Sequence, residues 1–331
     1  MVNIVTANFA LNAQALPFRT DCLVAGTTCS VATNSLEILR AASRWRLRSR
    51  STLLPAFAME ILVDSALDNA PRRPAHFRGV RHLVFVTLPN SNLVVYDLLR
   101  RRVHAVLSQA AARDISFWNK LLLPITIGVL GTAVGIVPLH CACLERNGAG
   151  FLLAGASGAG KSTLSAALAD LGFAFISDDW TYVSRKDSTL VGHGLCSPIK
   201  LLPDAVRFFP YLREAVPGPT LNGELAYEVD PMRSAQITVK TFSYPQRLFF
   251  LERTPDPGCK FIDCPPGYAK NYFEQNAERL PEELPEARQF RTSVIQSLSM
   301  YPAWILRTGY GPQKTAEAMD RFLSGATHAI A

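Results

Sequence analysis

The feature that most constrains this chain is a glycine-rich stretch near its middle. Residues 155–162 read Gly-Ala-Ser-Gly-Ala-Gly-Lys-Ser, which matches the pattern G-x-x-x-x-G-K-[ST] of loops that bind nucleotide triphosphates. The apolar run at 151–154 predicts a buried strand before the loop. Leucines and alanines at helical spacing follow it up to Gly172, a residue suited to end a helix. This order predicts a phosphate loop; the alternative for the same residues is an ordinary glycine-rich turn.

The loop and the start of the following helix, expected near Thr163, supply the predicted nucleotide-binding residues. These are Gly155, Ala156, Ser157, Gly158, Ala159, Gly160, Lys161, Ser162 and Thr163. Glycines leave backbone N–H groups open to an anion, and a helix N-terminus adds partial positive charge. We expect Lys161 to reach the β- and γ-phosphates and the Ser162 hydroxyl to bind Mg²⁺. The expected cofactors are therefore ATP and Mg²⁺. Because no motif that recognises the nucleotide base is present, the sequence does not distinguish ATP from GTP.

Two adjacent carboxylates follow the next apolar run. Residues 173–179 read Phe-Ala-Phe-Ile-Ser-Asp-Asp, so a strand is predicted to end at Asp178 and Asp179. In phosphoryl transfer one carboxylate can anchor Mg²⁺ and another can accept the proton of the attacking hydroxyl. The two side chains of an extended pair point to opposite faces, so they need not share a role. An exposed turn after a strand is the alternative interpretation.

His140 is predicted to lie at the mouth of the same site. Asn147-Gly148 is a strong signal for a two-residue hairpin turn, which pairs residue i with residue 295 − i. His140 then lies opposite Gly155, within reach of the γ-phosphate or of one of the aspartates. It would act there as a hydrogen-bond donor or as the charge partner of an Asp; a purely structural histidine is the alternative.

His140, the loop at 155–162 and the Asp178-Asp179 pair resemble, in order and spacing, the catalytic half of the HPr serine kinase/phosphorylase family. The resemblance covers about residues 138–183. It implies an α/β P-loop kinase domain of the HPr kinase and phosphoenolpyruvate carboxykinase type. It also implies that Asp178 is the general base, that Asp179 and Ser162 form the metal site, and that a homo-oligomer is possible. Which aspartate takes which role is left open.

The chain departs from that family at one signature. The E-I-R-G-L-G motif is missing, and the nearest segment, 191–200, lacks its Glu and Arg. The chain is more similar to divergent HPr-kinase-like proteins of bacterial gene clusters. Some of those phosphorylate a serine of a ribosomally made precursor peptide, as in lasso-peptide tailoring. The resemblance therefore implies an acceptor other than HPr, most simply Ser or Thr of a peptide or small protein. The alternatives are a sugar or amino-acid kinase and a nucleotide-dependent regulatory module without transferase activity.

Two further cations are candidates to neutralise the transferred phosphoryl group. Lys200 and Arg253 both lie downstream of the aspartates, and either could serve. Surface positions or ordinary ion pairs are the alternative for both.

The remaining sequence predicts a smaller N-terminal α/β domain over 1–115, with the kinase domain over 116–331. Residues 1–139 hold 15 Lys and Arg against 7 Asp and Glu, densest at Arg40, Arg44, Arg46, Arg48, Arg50 and 100–102. This basic excess indicates either an acidic partner or substrate or a solvated helix face. In the first case we expect the N-terminal domain to supply much of the acceptor-binding surface. No nucleic-acid motif accompanies the arginines, so we expect no nucleic-acid partner. The seven cysteines fit neither a disulfide framework nor a zinc site, which favours a cytoplasmic protein.

Several local elements can be predicted outside the motif region. The uncharged stretch 121–139 is long enough to cross a membrane, but its glycines and prolines favour a buried helix and turn, so we expect no membrane contact. In the N-terminal part we predict a hairpin of 21–25 with 29–32, a helix capped by Asn34 or Ser35, and strands at 81–88 and 93–98 around a turn at 89–92. We predict a surface loop at residues 70–74 and a loop or short exposed helices around Pro281 and Pro285. Residues 315–323 are predicted to form a closing helix.

Overall fold

The computed structural model describes residues 16–45, 55–69, 76–88, 92–195, 197–220, 223–234, 236–277, 280 and 282–326. They form a mixed α/β protein with several sheets. The chain divides into two compact units. The first runs to Val134 and includes Leu280–Arg288, and the second comprises Gly135–Arg279 and the residues from Gln289 onward. The domain boundary at residue 115 stays a prediction.

The first unit is built on a seven-stranded mixed sheet. Its spatial order is β1-β2-β3-β7-β6-β5-β4, with β2, β3 and β7 parallel and the other neighbours antiparallel. The strands are β1 (Phe18–Val24), β2 (Thr27–Thr33), β3 (Phe57–Val63), β4 (His76–Val80), β5 (Leu83–Leu88), β6 (Asn92–Asp97) and β7 (Arg102–Leu107). The helices are α1 (Leu36–Ser43), α2 (Gln109–Arg113), α3 (Ile115–Phe117) and α4 (Leu123–Leu130), with a 3₁₀ turn at Ser65–Asn69.

Three predictions for this unit are confirmed. Strands β1 and β2 form the predicted antiparallel hairpin, in which Cys22 lies opposite Cys29 in the backbone register. The Ser35 hydroxyl accepts the Ile38 N–H and so caps α1. Strands β5 and β6 pair antiparallel. Some predictions concern residues outside the described ranges: Arg46, Arg48, Arg50, the loop at 70–74, the turn residues 89–91 and Pro281. One of the seven cysteines, Cys196, also lies outside them.

The uncharged stretch after α3 is a buried helix followed by a turn and a strand, as predicted. A π-helical turn at Trp118–Leu122 leads into α4, and a 3₁₀ turn at Gly131–Val134 ends the helical region. Leu122, Leu123 and Ile127 are fully buried. By length and composition Ile115–Val134 could cross a membrane, but more than half of its most apolar window lies inside the protein. That burial is what a core helix requires.

The second unit contains a central six-stranded sheet in the order β11-β9-β10-β18-β20-β19, a four-stranded sheet β17-β13-β12-β8 and a three-stranded sheet β14-β16-β15. Its strands are β8 (Ile136–Leu139), β9 (Ala142–Arg146), β10 (Ala149–Gly155), β11 (Ala174–Ser177), β12 (Thr181–Lys186), β13 (Thr189–His193), β14 (Ile199–Leu201), β15 (Gly218–Pro219), β16 (Leu225–Val229), β17 (Phe242–Ser243), β18 (Pro245–Arg253), β19 (Cys259–Asp263) and β20 (Ala303–Thr308). Its helices are α5 (Lys161–Asp170), α6 (Tyr268–Gln275), α7 (Pro285–Leu298, which begins in the first unit) and α8 (Pro312–Ala326). Short 3₁₀ turns lie at Pro203–Arg207, Pro210–Glu214 and Pro231–Arg233.

Strand β10 is apolar throughout because both faces of the central sheet are covered. Phe151 and Leu153 enter one core cluster with residues of α5 and α8. Leu152 and Ala154 point to the opposite face, into a second cluster with residues of α6 and α7. Because β10, β18 and β20 are parallel, their carboxyl ends meet at one edge of the sheet. The glycine-rich loop leaves the sheet at that edge.

The helices of this unit agree with the sequence predictions in two places and differ in two. Gly172 follows α5 with a left-handed φ of 91°, and α8 contains the predicted closing helix. Helix α5 begins at Lys161 rather than near Thr163, because Gly160 supplies the left-handed N-cap. The expectation of a loop or short exposed helices at Pro285 is wrong, since Pro285 begins a helix of 14 residues. Proline is tolerated in a first helical turn, where its missing N–H has no helical partner to lose.

Candidate active site

The glycine-rich loop connects β10 to α5 through left-handed glycines. Gly155, Gly158 and Gly160 have φ values of 154°, 78° and 94°. A Cβ on Gly155 would lie 2.8 Å from the carbonyl oxygen of Leu251, so this position also needs glycine for space. No side chain caps α5, and the loop residues from Ala156 to Gly158 are exposed. The loop therefore leaves backbone N–H groups of a helix N-terminus available to an anion.

Lys161 folds back over the start of the loop. Its Nζ donates to the carbonyl oxygens of Gly155 at 2.8 Å and Ala156 at 3.3 Å. The side chain is buried, and this burial lowers the pKa of the ammonium group, although the charges of Asp179 and Asp178 oppose that shift. A cation held against two carbonyl oxygens can exchange them for the oxygens of an anion.

The other loop and first-turn residues complete the connection from β10 to α5. Ala159 closes a turn by donating its N–H to Ala156, Ser157 is exposed, and Thr163 lies half-buried in the first turn of α5. The Ser162 hydroxyl interacts with the Asp178 carboxylate. The structure thus brings the loop and the aspartate pair together, although residues 171–177 separate the loop helix from them along the chain.

Asp178 is a buried carboxylic acid with one unsatisfied oxygen. It is 6% exposed, its Oδ2 accepts the Lys200 N–H at 3.4 Å, and its Oδ1 has no hydrogen-bond partner among the described residues. Burial, with a contribution from the charge of Asp179, raises the pKa of Asp178 to about 7, against the opposing effects of Ser162, the Lys200 amide and Lys161. A carboxyl group with that pKa can take or release a proton near neutral pH.

Asp179 has the opposite environment. Its carboxylate is 64% exposed, and its Oδ1 lies 2.9 Å from His140 Nε2. Partial burial raises the pKa of Asp179. The hydrogen bond and charge of His140, together with Lys161 and Lys200, outweigh that effect and hold the pKa below its ordinary value. Two adjacent carboxyl groups whose pKa values are pushed apart are suited to different roles, one as a proton carrier and one as a permanent anion.

Two strand registers explain why His140 meets Asp179. The β9–β10 ladder pairs Phe151 with Leu144 and Leu153 with Ala142, so the predicted pairing of i with 295 − i is confirmed up to the end of that ladder. Asn147 and Gly148 have φ values of 51° and 82°, as a two-residue turn of this kind requires.

A second ladder, which the sequence did not reveal, carries the histidine to its partner. Strand β8 pairs with β12, with Leu139 opposite Thr181. His140, one residue beyond that pair, therefore stands beside Trp180. The two rings stack with centroids 5.3 Å apart and an interplanar angle of 24°. His140 is thus held between the Trp180 ring and the Asp179 carboxylate.

The two additional cations occupy different positions. The Lys200 ammonium group pairs with Glu224, while its backbone N–H contacts Asp178. The Arg253 guanidinium donates to the Tyr310 carbonyl oxygen at 2.7 Å and lies close enough to Gly160 that a Cβ there would be 3.6 Å away. Arg253 therefore borders the loop, whereas the Lys200 side chain is directed to an ion pair.

Three contacts of the site were not found from the sequence. Tyr272 accepts the N–H of Gly155 at 2.9 Å, Trp180 stacks on His140, and Glu224 pairs with Lys200. Of these residues, only Trp180 could have been singled out in the sequence, because it directly follows the aspartate pair. Tyr272 and Glu224 lie far along the chain, in segments without a motif, so only the fold brings them to the site.

The side chains present fit magnesium better than a softer metal. Among the described residues no three His, Cys, Asp or Glu side chains are arranged to hold a metal ion. The available donors are the Ser162 hydroxyl, the free oxygen of Asp178 and the Asp179 carboxylate. Mg²⁺ prefers oxygen ligands and is usually bound by one or two carboxylates together with substrate phosphates and water.

Comparison with known proteins yields a loose likeness to solved structures. No protein-family profile matches the chain, and no curated protein matches it. Among solved structures, the Hpr(Ser) kinase/phosphatase from Coxiella burnetii is similar at 13% sequence identity. The similarity covers 57% of this chain and 98% of that chain, with a TM-score of 0.30. At a TM-score of 0.30 this likeness carries no argument about the fold or the function of the chain.

Proposed function

We propose that this protein is an ATP- and Mg²⁺-dependent kinase that transfers the γ-phosphoryl group to a hydroxyl group, most simply Ser or Thr of a peptide or small protein. Phosphoryl transfer depends on positioning and on charge stabilisation rather than on covalent chemistry by the protein. The observation that carries the proposal is the buried, half-satisfied Asp178, which follows β11 and contacts Ser162 at the end of the glycine-rich loop.

The roles of the residues follow from their environments. Asp178, whose pKa is near 7 because of burial, accepts the proton of the acceptor hydroxyl through its free Oδ1. Lys161 and the loop amides bind the phosphates, and Arg253, which borders Gly160, adds positive charge. Ser162 and Asp179 would hold Mg²⁺, which supplies neutralisation of the phosphate charge when bound. His140 fixes Asp179 and lines the γ-phosphate position.

The exposure of the site favours a peptide acceptor over a metabolite. The Asp179 carboxylate and the loop residues from Ala156 to Gly158 face solvent. A small-molecule kinase needs a site that surrounds its substrate, whereas a peptide side chain can reach an open edge.

The substitution Asp178→Asn tests the proposal. The variant should bind Mg·ATP with near wild-type affinity and lose phosphoryl transfer by about 100-fold or more, the usual contribution of a general base. Asp187→Asn is the matched control, because Asp187 is exposed in the β12–β13 turn with a left-handed φ of 53° that asparagine also adopts. Transfer is followed by mass spectrometry of candidate peptides incubated with ATP and Mg²⁺. Transfer by Asp178→Asn at the rate of the control would remove Asp178 from the mechanism.

A further inference from the structure

The first residue of the glycine-rich loop is held on both sides by side chains. The Gly155 N–H donates to the Tyr272 hydroxyl at 2.9 Å, and the Gly155 carbonyl oxygen accepts from Lys161 Nζ at 2.8 Å. The β9–β10 ladder ends two residues earlier, at Leu153. Beyond that point the strand no longer has β9 to orient it, and Tyr272 supplies a bond from a different element.

Gly155 is also the residue whose conformation sets the direction of the loop. Its φ of 154° and the 2.8 Å approach of a Cβ to the Leu251 carbonyl oxygen restrict this position to glycine. Glycine has the widest conformational freedom of any residue, so its orientation must come from its surroundings. The pairing with Leu251 of β18 and the two hydrogen bonds of Gly155 supply that restriction.

Tyr272 is itself fixed in the second core cluster. Its ring packs edge-on against Phe250 at 4.9 Å between centroids and against Phe273 at 5.6 Å. Phe250 belongs to β18, the parallel neighbour of β10, and precedes Leu251, the partner of Gly155 in the ladder. The hydroxyl oxygen is therefore placed by the same strand that Gly155 pairs with.

We propose that Tyr272 is a positioning residue that fixes the Gly155 amide and so holds the glycine-rich loop in the geometry that accepts a polyphosphate. This inference rests on the proposed nucleotide binding of the loop. Helix α6 would then contribute to nucleotide affinity through the Tyr272 hydroxyl group. The ring of Tyr272 serves the core, and its hydroxyl serves the loop.

The chain offers a matched control one turn earlier on the same helix. Tyr268 packs edge-on against the same Phe250 ring at 5.0 Å and is half-buried like Tyr272. Among the described residues, its hydroxyl has no hydrogen bond to the loop. The substitutions Tyr272→Phe and Tyr268→Phe each remove one hydroxyl from the same aromatic cluster. They differ in whether a bond to Gly155 is lost.

The experiment compares both variants with the wild-type protein by three measurements. Spectra of protein labelled with ¹⁵N-glycine report the Gly155 amide directly. Hydrogen exchange of the peptide spanning the loop reports its local opening, and calorimetry gives the dissociation constant of Mg·ATP. Tyr272→Phe should shift the Gly155 resonance, speed exchange of this amide by about tenfold and weaken Mg·ATP binding by about three- to tenfold, the range expected for one lost neutral hydrogen bond. Tyr268→Phe should leave all three within about twofold of wild type.

The outcomes separate the two proposals. If Tyr272→Phe matches Tyr268→Phe in resonance, exchange and affinity, Tyr272 has no positioning role. If the resonance and exchange change while Mg·ATP affinity does not, the hydroxyl holds the loop without tuning binding, and the inference is again wrong. If the wild-type protein does not bind Mg·ATP, the proposed kinase function fails, whereas the exchange comparison still reports whether the hydroxyl orders the loop. Melting temperatures of both variants confirm that the fold is intact.

Discussion

Burial of Asp178 should make the contribution of this residue to stability fall as the pH rises towards neutrality. Burial raises the pKa of the folded-state carboxyl group to about 7, whereas the same group in an unfolded chain titrates near 3.8. Between these values the folded protein binds one more proton than the unfolded chain. The contribution of Asp178 to stability therefore decreases with rising pH across that window, and its full loss is present above pH 7.

The size of the effect follows from the two pKa values. Each unit of difference corresponds to about 1.4 kcal/mol. Titration of one group between pKa 3.8 and about 7 destabilises the folded state by about 2–3 kcal/mol more at pH 8 than at pH 5. Such a difference is a large part of the total stability of an ordinary domain.

The assay is urea unfolding of wild-type protein and Asp178→Asn at pH 5 and pH 8, without nucleotide and with a chelator to remove divalent metal. Asparagine does not titrate, so the variant should gain about 2–3 kcal/mol relative to wild type between the two pH values. Any constant effect of the amide cancels in this difference, and Asp187→Asn supplies the baseline. A stability difference between wild type and Asp178→Asn that stays the same at both pH values would refute the assignment of a raised pKa to this carboxyl group.

Three further predictions concern single residues of the second unit. Lys161→Met should weaken Mg·ATP binding by at least about tenfold in calorimetry, because a charge-assisted phosphate contact is lost, whereas the exposed Lys186→Met should not. Gly155→Ala should lower the free energy of unfolding by about 2 kcal/mol or more through backbone strain and the contact with Leu251, while Gly218→Ala, which has open space for a Cβ, should change it little in the same urea titration. Burial lowers the pKa of His193 from 6.5 to about 4. The stability contributed by the neutral ring should therefore be fully present above pH 6.5 and lost as the pH falls towards 4, and urea unfolding of His193→Gln should not show that loss.

The local sequence was sufficient to predict the elements whose signals are themselves local. Asn147-Gly148 specifies a hairpin register because both residues tolerate positive φ, and that register places His140 near the loop. The glycines and Lys161 predict a strand, loop and helix in order, since each element follows from residues only a few positions apart. The prediction at Pro285 was wrong because a proline can follow the end of one helix or occupy the first turn of another, and the residues around Pro285 do not decide between the two.

The different environments of Asp178 and Asp179 were decided only by the tertiary structure. Both residues look alike in the sequence, yet one is buried against Ser162 and the other faces His140 at the surface. The contact of Tyr272 with Gly155 likewise joins residues 117 positions apart. Backbone conformation is governed by neighbours along the chain, so sequence determines it locally. Burial and electrostatic environment depend on what the fold packs around a side chain, and these set the pKa of each carboxyl group and therefore its chemistry.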